Sequence, residues 1–418
     1  MEVSANAKRC RQAALALAVL GLGVAGFSGC PAQTSDAPIT QPTVEISYAS
    51  HAALAHALKA HPARLVRLVA ALHVAEVRPS GATAAYVRAV RHLRGIVDAG
   101  ATVARAAADT LGLRQESEGG QVREWQYYSV GVDRVPRQVA AAASRITIAV
   151  VDTGADLGSP VFARKVRGTY DVRTRRGRVR DNNGHGTFVA SLAAGVSRRA
   201  SGFAGFGGAA RLLIVKVSNS TSFSDVDVAA GIVYSVRHGA RIVNLSVAGL
   251  APSIVEKAAL EYAARRGVLV VAAAGNDALA GDPPEYPAAL LQPVGSNGIG
   301  GSGISVGASD SNGARADFSE YGSFVSLAAP GESVFGVRGA GRGSYGYASG
   351  TSFAAPEVAG VAALVWAADP KLSFRQVAAI LKRTASGRGA WTPELGFGVI
   401  DAATAVRRAT AAALPAAR

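Results

Sequence analysis

The sequence has few cysteines and few aromatic residues. Only two of its 418 residues are cysteine, Cys10 and Cys30, and aromatic residues make up 6% of the chain. Cys10 lies in an N-terminal segment with the features of an export signal, so cleavage of that segment would leave Cys30 alone and exclude an internal disulfide. Abundant glycine and alanine with few aromatic residues favour closely packed α/β layers. The length allows two or three domains.

Acidic residues are outnumbered by basic ones, 29 to 44, which gives a formal net charge of +15. The basic residues are scattered, and they form no stripe interleaved with aromatic residues. We therefore predict a solvated basic surface and no nucleic-acid partner. After residue 30 the sequence has no internal repeat and no apolar run that predicts a membrane span.

Residues 1–30 are predicted to be a targeting segment. A basic start precedes an apolar stretch, residues 13–27, that is too short to span a bilayer comfortably. The small residues directly before Cys30 resemble the lipobox of bacterial lipoproteins, in which cleavage leaves the cysteine as a lipidated N-terminus. Phe27 departs from the leucine that is usual there. Ordinary secretion and an uncleaved anchor are the two alternatives.

A small α+β domain is predicted over residues 43–106, after a Pro-, Thr- and Ser-rich tether at residues 31–42. The predicted strands are 43–48, 65–71, 73–77 and 96–103, and the predicted helices are 51–61 and 82–93. This order is typical of a ferredoxin-like domain. The polar, turn-prone residues 107–124 are predicted to be a linker.

Residues 125–414 alternate between apolar strands and helices, which predicts an α/β domain with a mostly parallel central sheet. The predicted strands are 146–151, 212–217, 242–245 and 268–274. The predicted helices are near 187–195, 225–238, 254–265, 352–367, 373–384 and 400–412.

Four polar residues lie where these elements begin or end. Asp152 and Asn276 follow buried strands, His185 lies between two glycines at the start of a small-residue helix, and Ser352 lies in the first turn of a long apolar helix. The carboxyl ends of parallel strands are where α/β proteins form sites, and a helix N-terminus stabilises a developing negative charge. Taken singly, each residue also fits an ordinary turn, cap or structural histidine.

Together these residues form a specific pattern. The motifs Asp152-Thr-Gly, His185-Gly-Thr-x-Val-Ala and Gly-Thr-Ser352-x-Ala-x-Pro, in this order, resemble those of the subtilisin-like serine proteases, or subtilases. The resemblance extends over about residues 126–405 and includes supporting motifs. These are Asn244-Leu-Ser, Ala274-Gly-Asn, Tyr286-Pro-Ala, Phe318-Ser-x-Tyr-Gly, Ala329-Pro-Gly and Gly396-x-Gly.

The resemblance implies a subtilisin-like three-layer α/β fold and an exported serine endopeptidase that acts through an acyl-enzyme. Ser352 is then the nucleophile, His185 the general base and Asp152 the residue that orients His185. Asn276 and the N–H of Ser352 are expected to form the oxyanion hole. The alternative from another class is a catalytically silent surface-binding lipoprotein on the same scaffold. A Gly-x-Ser-x-Gly esterase motif does not surround Ser352.

The resemblance also implies a cleft in which an extended substrate pairs with backbone. Its expected residues are Ser246, Val247, Ala248, Ala273, Ala274 and Gly275. Ala248 stands where the family usually has glycine. The acidic residues Asp277, Asp282 and Glu285 suggest the hypothesis that a basic side chain is favoured at the scissile position.

No cofactor is expected for the chemistry, and no metal ligand is assigned. Many family members bind calcium in a loop that corresponds to residues 195–201 here. Arg198 and Arg199 replace oxygen ligands in that loop, so this site is expected to be absent. Other calcium sites, for example near Asp181 and Asn182, stay open.

The family keeps a folding and inhibitory propeptide in the place of residues 43–106, so these residues are expected to be that propeptide, against the alternative of a permanent accessory domain. Expected partners are protein or peptide substrates, the propeptide itself and, through lipidated Cys30, a membrane. The expected location is the bacterial cell envelope, or the medium after processing, and the protein is expected to be a monomer.

Overall fold

The computed structural model describes residues 42–108, 124–196, 203–339 and 345–413. The predicted targeting segment with Cys30, nearly all of the tether and residues 109–123 of the linker lie outside these residues. So does most of the loop at residues 195–201, of which only the first two residues are described.

The first domain is a four-stranded antiparallel sheet, in the order β2-β3-β1-β4, with two helices. Its elements are β1 (Val44–Tyr48), α1 (His51–Ala60), β2 (Ala63–Val69), β3 (Val74–Pro79), α2 (Thr83–Arg91) and β4 (Ile96–Ala101). Ser50 begins α1 by accepting a hydrogen bond from the N–H of Ala53. The order strand-helix-strand-strand-helix-strand confirms the predicted pattern, with boundaries shifted by up to two residues.

The predicted last strand of this domain, residues 96–103, is wrong at its end. Strand β4 stops at Ala101, where the N–H of Thr102 donates to the carbonyl of Thr43. The chain then enters a separate strand, β5 (Ala104–Ala107), which belongs to another sheet. Both strands are short and small-residue rich, so the change of sheet leaves no mark in the hydrophobic pattern. The predicted boundary after residue 106 falls inside β5.

The central sheet has seven strands, and all its described pairings are parallel, in the order β14-β13-β12-β10-β6-β8-β7. Its strands are β6 (Thr147–Asp152), β7 (Val166–Asp171), β8 (Arg211–Lys216), β10 (Ile242–Leu245), β12 (Leu269–Ala273), β13 (Gly303–Ser309) and β14 (Leu327–Pro330). The prediction of a mostly parallel sheet is confirmed. Strands β7, β13 and β14 were missed.

Helices cover both faces of this sheet, which makes three layers. They are α3 (Trp125–Ser129), α4 (Arg137–Ala142), α5 (His185–Ala194), α6 (Asp225–Arg237), α7 (Ile254–Arg265), α8 (Ala288–Leu291), α9 (Thr351–Ala368), α10 (Phe374–Thr384) and α11 (Ala402–Ala413). Alternate residues of β6 enter the two cores: Ile148 and Val150 pack with α9, and Ala149 and Val151 pack with α6 and α7. All six predicted helices are present.

Four short strands lie outside the two sheets described so far, in addition to β5. They are β9 (Ser222–Ser224), β11 (Val247–Ala248), β15 (Val334–Val337) and β16 (Tyr345–Ala348). Strands β15 and β16 form an antiparallel pair, and β11, β5 and β9 form a three-stranded antiparallel sheet.

Helix α9 is the central helix of one core layer. It is apolar except for Thr351, Ser352 and Glu357, and every residue from Thr351 to Trp366 is buried. Among the described residues it is the one helix long and apolar enough to cross a membrane, but 89% of that stretch is buried inside the protein. A helix that is hydrophobic all round and covered by its own protein is a core helix. Its burial fixes the first turn, which carries Ser352, against the ends of the sheet.

Candidate active site

Three neighbouring strands end at one edge of the central sheet and carry the candidate residues there. Strand β6 ends at Asp152, the adjacent β10 leads directly into Ser246, and β12 leads into Gly275 and Asn276. Helices α5 and α9 begin at the same edge, with His185 and Ser352 in their first turns. The parallel order of the strands therefore brings together the four residues that the sequence separates by 200 positions.

Asp152 and His185 form a buried pair. The Nδ1 atom of His185 lies 2.8 Å from Oδ1 of Asp152, and both residues are almost fully buried. The same carboxylate oxygen accepts a hydrogen bond of 2.7 Å from the N–H of Thr153. A carboxylate at Nδ1 fixes the proton on that nitrogen, so Nε2 is the nitrogen that can exchange a proton with a substrate.

The loop before His185 is organised by Asp181. Its carboxylate accepts hydrogen bonds from the N–H groups of Asn183, Gly184 and Thr187, at 2.8–3.0 Å. It also accepts from the hydroxyls of Thr187, at 2.6 Å, and Thr153, at 2.9 Å. Burial alone would raise the pKa of Asp181, but the hydrogen bonds from Thr187, Gly184 and Asn183 outweigh burial and lower it. Asp181 thus connects the His185 loop to the strand that carries Asp152.

Ser352 is fixed to the loop after β10. Its hydroxyl donates to the carbonyl of Ser246 at 3.0 Å, and the hydroxyl of Ser246 donates to the carbonyl of Ser352 at 2.7 Å. Asn244 donates in turn to the Ser246 hydroxyl at 2.9 Å. Ser352 and Ser246 are fully buried. The side chain of Ser246, which the sequence placed in the cleft, therefore positions the backbone at Ser352.

Asn276 lies beside the start of α9. Its Oδ1 accepts from the N–H and from the hydroxyl of Thr351, each at 3.0 Å. Because a backbone N–H can only donate, these contacts identify the accepting atom as oxygen and fix the orientation of the amide. The buried Nδ2 atom has no hydrogen-bond partner among the described residues. Asn276 thus presents a donor beside the N–H of Ser352.

The cleft beside Ser352 holds a segment of the same chain. Strand β5 lies between β11 and β9 and pairs with both, with Ala107 opposite Val247 and Ala106 opposite Ala248. Beyond β5, the N–H of Ala108 donates to the carbonyl of Ser246 at 3.3 Å. The carbonyl of Ala108 accepts a hydrogen bond of 2.9 Å from the N–H of Ser352. An extended peptide bound in this way is strand addition at a site.

Residues 246–248, which were expected to line the cleft, contact β5 and Ala108 on one side, and β9 pairs with β5 on the other. Strand β9 was missed because residues 218–224, Ser-Asn-Ser-Thr-Ser-Phe-Ser, have the composition of a loop. Residues 273–275 lie at the base of the site. The N–H of Ala274 donates to the carbonyl of Val306, and the N–H of Gly275 donates to the hydroxyl of Thr351.

Acidic side chains, among them Glu285, lie close to Gly275. Glu285 is buried and accepts from the N–H of Asn276 at 3.0 Å. Burial first, and then the charge of Asp277, raise the pKa of Glu285 to about 7. Asp282 accepts from the N–H of Tyr321 at 3.0 Å. Gly275 has a φ of +122°, which L side chains rarely adopt, and an added Cβ would also overlap the Glu285 carboxylate, so glycine is strongly favoured at this position. A preference for a basic side chain at the scissile position stays a hypothesis.

The described part of the chain contains no group of three or more His, Cys, Asp or Glu side chains arranged to hold a metal ion. Near Asp181, both carboxylate oxygens are engaged by the protein's own donors.

Comparison with known proteins identifies the family. A model of the subtilase family, peptidase S8, matches residues 143–398. Thermitase of Thermoactinomyces vulgaris is 37% identical over 256 residues, which are 60% of this chain and 86% of thermitase. Subtilisin Savinase of Lederbergia lenta is 34% identical over 282 residues, 66% of this chain and 98% of that protein. Fervidolysin of Fervidobacterium pennivorans has a similar crystal structure, with a TM-score of 0.72 and 24% identity. The match covers 88% of this chain and 61% of fervidolysin.

The parallel α/β fold and the family comparison together indicate a serine hydrolase. The chain belongs to the subtilase family, because the family model matches more than half of it. It is a subtilisin-like serine endopeptidase with protein substrates, as its relatives among the thermitases and subtilisins indicate. The predicted family, fold class and enzyme class are confirmed, and the likeness to fervidolysin supports the fold.

The Asp181 hydrogen bonds give a testable prediction. We expect Asp181→Asn to lower the free energy of unfolding by about 2–4 kcal/mol at pH 7, because an amide nitrogen replaces an acceptor that faces backbone N–H groups. Activity should fall with it, because the His185 loop loosens. The measurement is urea unfolding in the Ser352→Ala background, which prevents self-digestion.

The matched control is Asp310→Asn, in an exposed loop where the carboxylate accepts from the N–H groups of Asn312 and Ala314. The pKa of Asp181 is lower in the folded state than the unfolded value of 3.8. Its contribution to the free energy of unfolding is therefore present above pH 3.8 and is lost as the pH falls through the folded-state pKa. The difference in the free energy of unfolding between the unaltered chain and Asp181→Asn should therefore shrink in acid. Equal stability of these two proteins at pH 7 would contradict the role assigned to Asp181.

Proposed function

We propose that this protein hydrolyses peptide bonds with Ser352, His185 and Asp152 as its catalytic triad. The observation that carries the proposal is the carbonyl of Ala108, which accepts a hydrogen bond from the N–H of Ser352 beside the buried Asp152–His185 pair. A substrate carbonyl in the same position would lie next to the nucleophile, as acyl transfer requires.

Each residue has one task in this mechanism. The Ser352 oxygen attacks the carbonyl carbon while Nε2 of His185 takes the hydroxyl proton, and Asp152 stabilises the imidazolium that results. The proton then passes to the leaving amine, and the C–N bond breaks to leave an ester on Ser352. Water, deprotonated by His185, attacks the ester. The bond to the Ser352 oxygen then breaks, His185 returns the proton to that oxygen, and the carboxylic acid is released.

The negative charge on the carbonyl oxygen is received by two donors, the N–H of Ser352 and Nδ2 of Asn276. The Nδ2 atom is buried, and Thr351 orients its amide group. Donors that are oriented in advance need little reorganisation when the charge develops, which is why they stabilise a transition state strongly. No metal or other cofactor takes part in these steps.

We infer that residues 43–108 are a propeptide that occupies the cleft as the first substrate. Three observations support this. Strand β5 runs antiparallel to both sides of the cleft. The carboxylate of Asp225, at the start of α6, accepts from the N–H of Val103 at 2.9 Å. Glu45 of the first domain accepts from the hydroxyl of Ser253 and the N–H of Val255, and so covers the N-terminus of α7.

The bond aligned with Ser352 is then the one between Ala108 and Asp109. Cleavage there would separate the propeptide from the peptidase domain that begins near residue 125. We further propose that the protein is exported as a monomer, and that Cys30 becomes a lipidated N-terminus. The lipid would hold the unprocessed chain at the cell envelope, and cleavage after Ala108 would release the protease.

The first prediction concerns the nucleophile and its oxyanion donor. Ser352→Ala should abolish peptide hydrolysis with an unchanged far-ultraviolet circular dichroism spectrum. Asn276→Ala should lower turnover by about 10²–10³, the scale known for the corresponding asparagine of subtilisin, because one of two donors is lost. Fluorogenic peptides and a fluorophosphonate probe measure both effects. Full activity in Ser352→Ala would refute the triad.

The second prediction concerns maturation. The intact mass of the released N-terminal fragment should place its C-terminus at Ala108. The Ser352→Ala chain should stay uncut under the same conditions, which controls for other proteases. The N-terminus of the mature enzyme is less decisive, because later trimming would shift it. A fragment that ends elsewhere would contradict the alignment of Ala108 with Ser352.

The third prediction concerns the anchor. Labelled palmitate should enter the full chain, produced in a bacterium that processes lipoproteins, and Cys30→Ala should abolish the label. Cys10→Ala is the matched control, because Cys10 lies before the cleavage site and its loss should leave labelling unchanged. Absence of label in the unaltered chain would overturn the lipoprotein proposal and leave ordinary secretion.

A further inference from the structure

Strand β5 carries a buried arginine into the cleft. Burial alternates along the strand, so that Ala104 and Ala106 are exposed whereas Arg105 and Ala107 are buried. Arg105 is 2% exposed, which is rare for an arginine and requires a charged or polar partner. Because Ala108 precedes the bond aligned with Ser352, Arg105 is the fourth residue before that bond.

The partner of Arg105 is Glu256, in the first turn of α7. The Nε atom lies 3.2 and 3.1 Å from the two carboxylate oxygens, and Nη2 lies 2.5 Å from Oε2. Both side chains are 0% exposed. The arginine side chain extends along Gly249, where an added Cβ would lie 3.0 Å from Nη1. The peptidase domain thus supplies both a carboxylate and the space for a guanidinium.

We propose that Glu256 forms a specificity pocket that selects substrates with arginine at the fourth position before the scissile bond. This inference rests on the proposed function, since it takes Ser352 as the nucleophile and β5 as a substrate mimic. The expected substrates are extended protein segments with arginine at this fourth position and small residues at the two positions directly before the scissile bond, as in the buried Ala107 and Ala108. Ala106 is exposed, so its position is not restricted to small residues.

The selectivity follows from the cost of an unpaired buried charge. When the propeptide leaves, a neutral substrate side chain would cover the Glu256 carboxyl group without pairing it. The group would then have to be buried as an unpaired charge or take up a proton, and either costs binding free energy. A guanidinium satisfies both carboxylate oxygens with its planar donors, as Arg105 does. Citrulline has nearly the same shape but no charge, so it separates the effect of charge from that of size.

The test uses the mature enzyme and four fluorogenic peptides. Three have arginine, citrulline or leucine followed by Ala-Ala-Ala before the scissile bond. The fourth carries its arginine one residue later, in the place of Ala106, whose side chain is exposed. We expect kcat/KM for the first arginine peptide to exceed that for citrulline on the order of 10²-fold. The displaced arginine should give no such gain.

Glu256→Gln should bring the arginine-to-citrulline ratio close to one while cleavage of the leucine peptide continues. Glu261→Gln is the matched control, because Glu261 lies on the same helix with a side chain that is 52% exposed. If Glu256→Gln does not fold, the ratio of kcat/KM for the arginine peptide to that for the citrulline peptide in the unaltered enzyme still tests the inference. Equal cleavage of the arginine and citrulline peptides, or a ratio unchanged in Glu256→Gln, would overturn the inference. Failure to cleave any peptide would instead refute the proposed function.

Discussion

The hydrogen bond from the N–H of Ser352 to the carbonyl of Ala108 is the contact on which the account of this protein depends. It aligns one peptide bond of the chain with one serine, and the pairing of β5 with β11 and β9 then fixes the positions of residues 104–107 before that bond. The donor exists because α9 begins at the edge of the parallel sheet, where its first N–H groups have no partners within the helix. The fold, the proposed nucleophile and the bound segment are thus connected through one backbone group.

Side chains that cross between elements hold the site in place. Thr351 joins α9 to the loop after β12, Ser246 joins α9 to the loop after β10, and Asp181 joins the His185 loop to β6. The Ser246 and Asp181 bonds are buried and the Thr351 bond is partly buried, so they restrain the backbone more firmly than surface contacts do. An oriented site of this kind suits a reaction in which charge develops on a substrate oxygen, because its donors are already in place.

The residues at the ends of elements could be predicted from sequence, whereas those fixed by distant pairing could not. Asp152, His185, Asn276 and Ser352 each lie beside a recognisable strand or helix, and parallel strands bring such positions together. The sequence of β9 is serine-rich and typical of a loop, and its strand structure depends on pairing with the distant β5. Arg105 and Glu256 are 151 positions apart, and each looks like an ordinary surface charge until the two are buried together.

The most direct measurement is the rate at which the full chain cuts itself. The unfolded protein is refolded by dilution to concentrations that span about a hundredfold range, and loss of the full chain is followed by electrophoresis. If residues 104–108 occupy the active site of their own molecule, cleavage is unimolecular, and its first-order rate constant should be the same at every concentration. A rate constant that rises in proportion to concentration would contradict the account, because one molecule would then be cutting another.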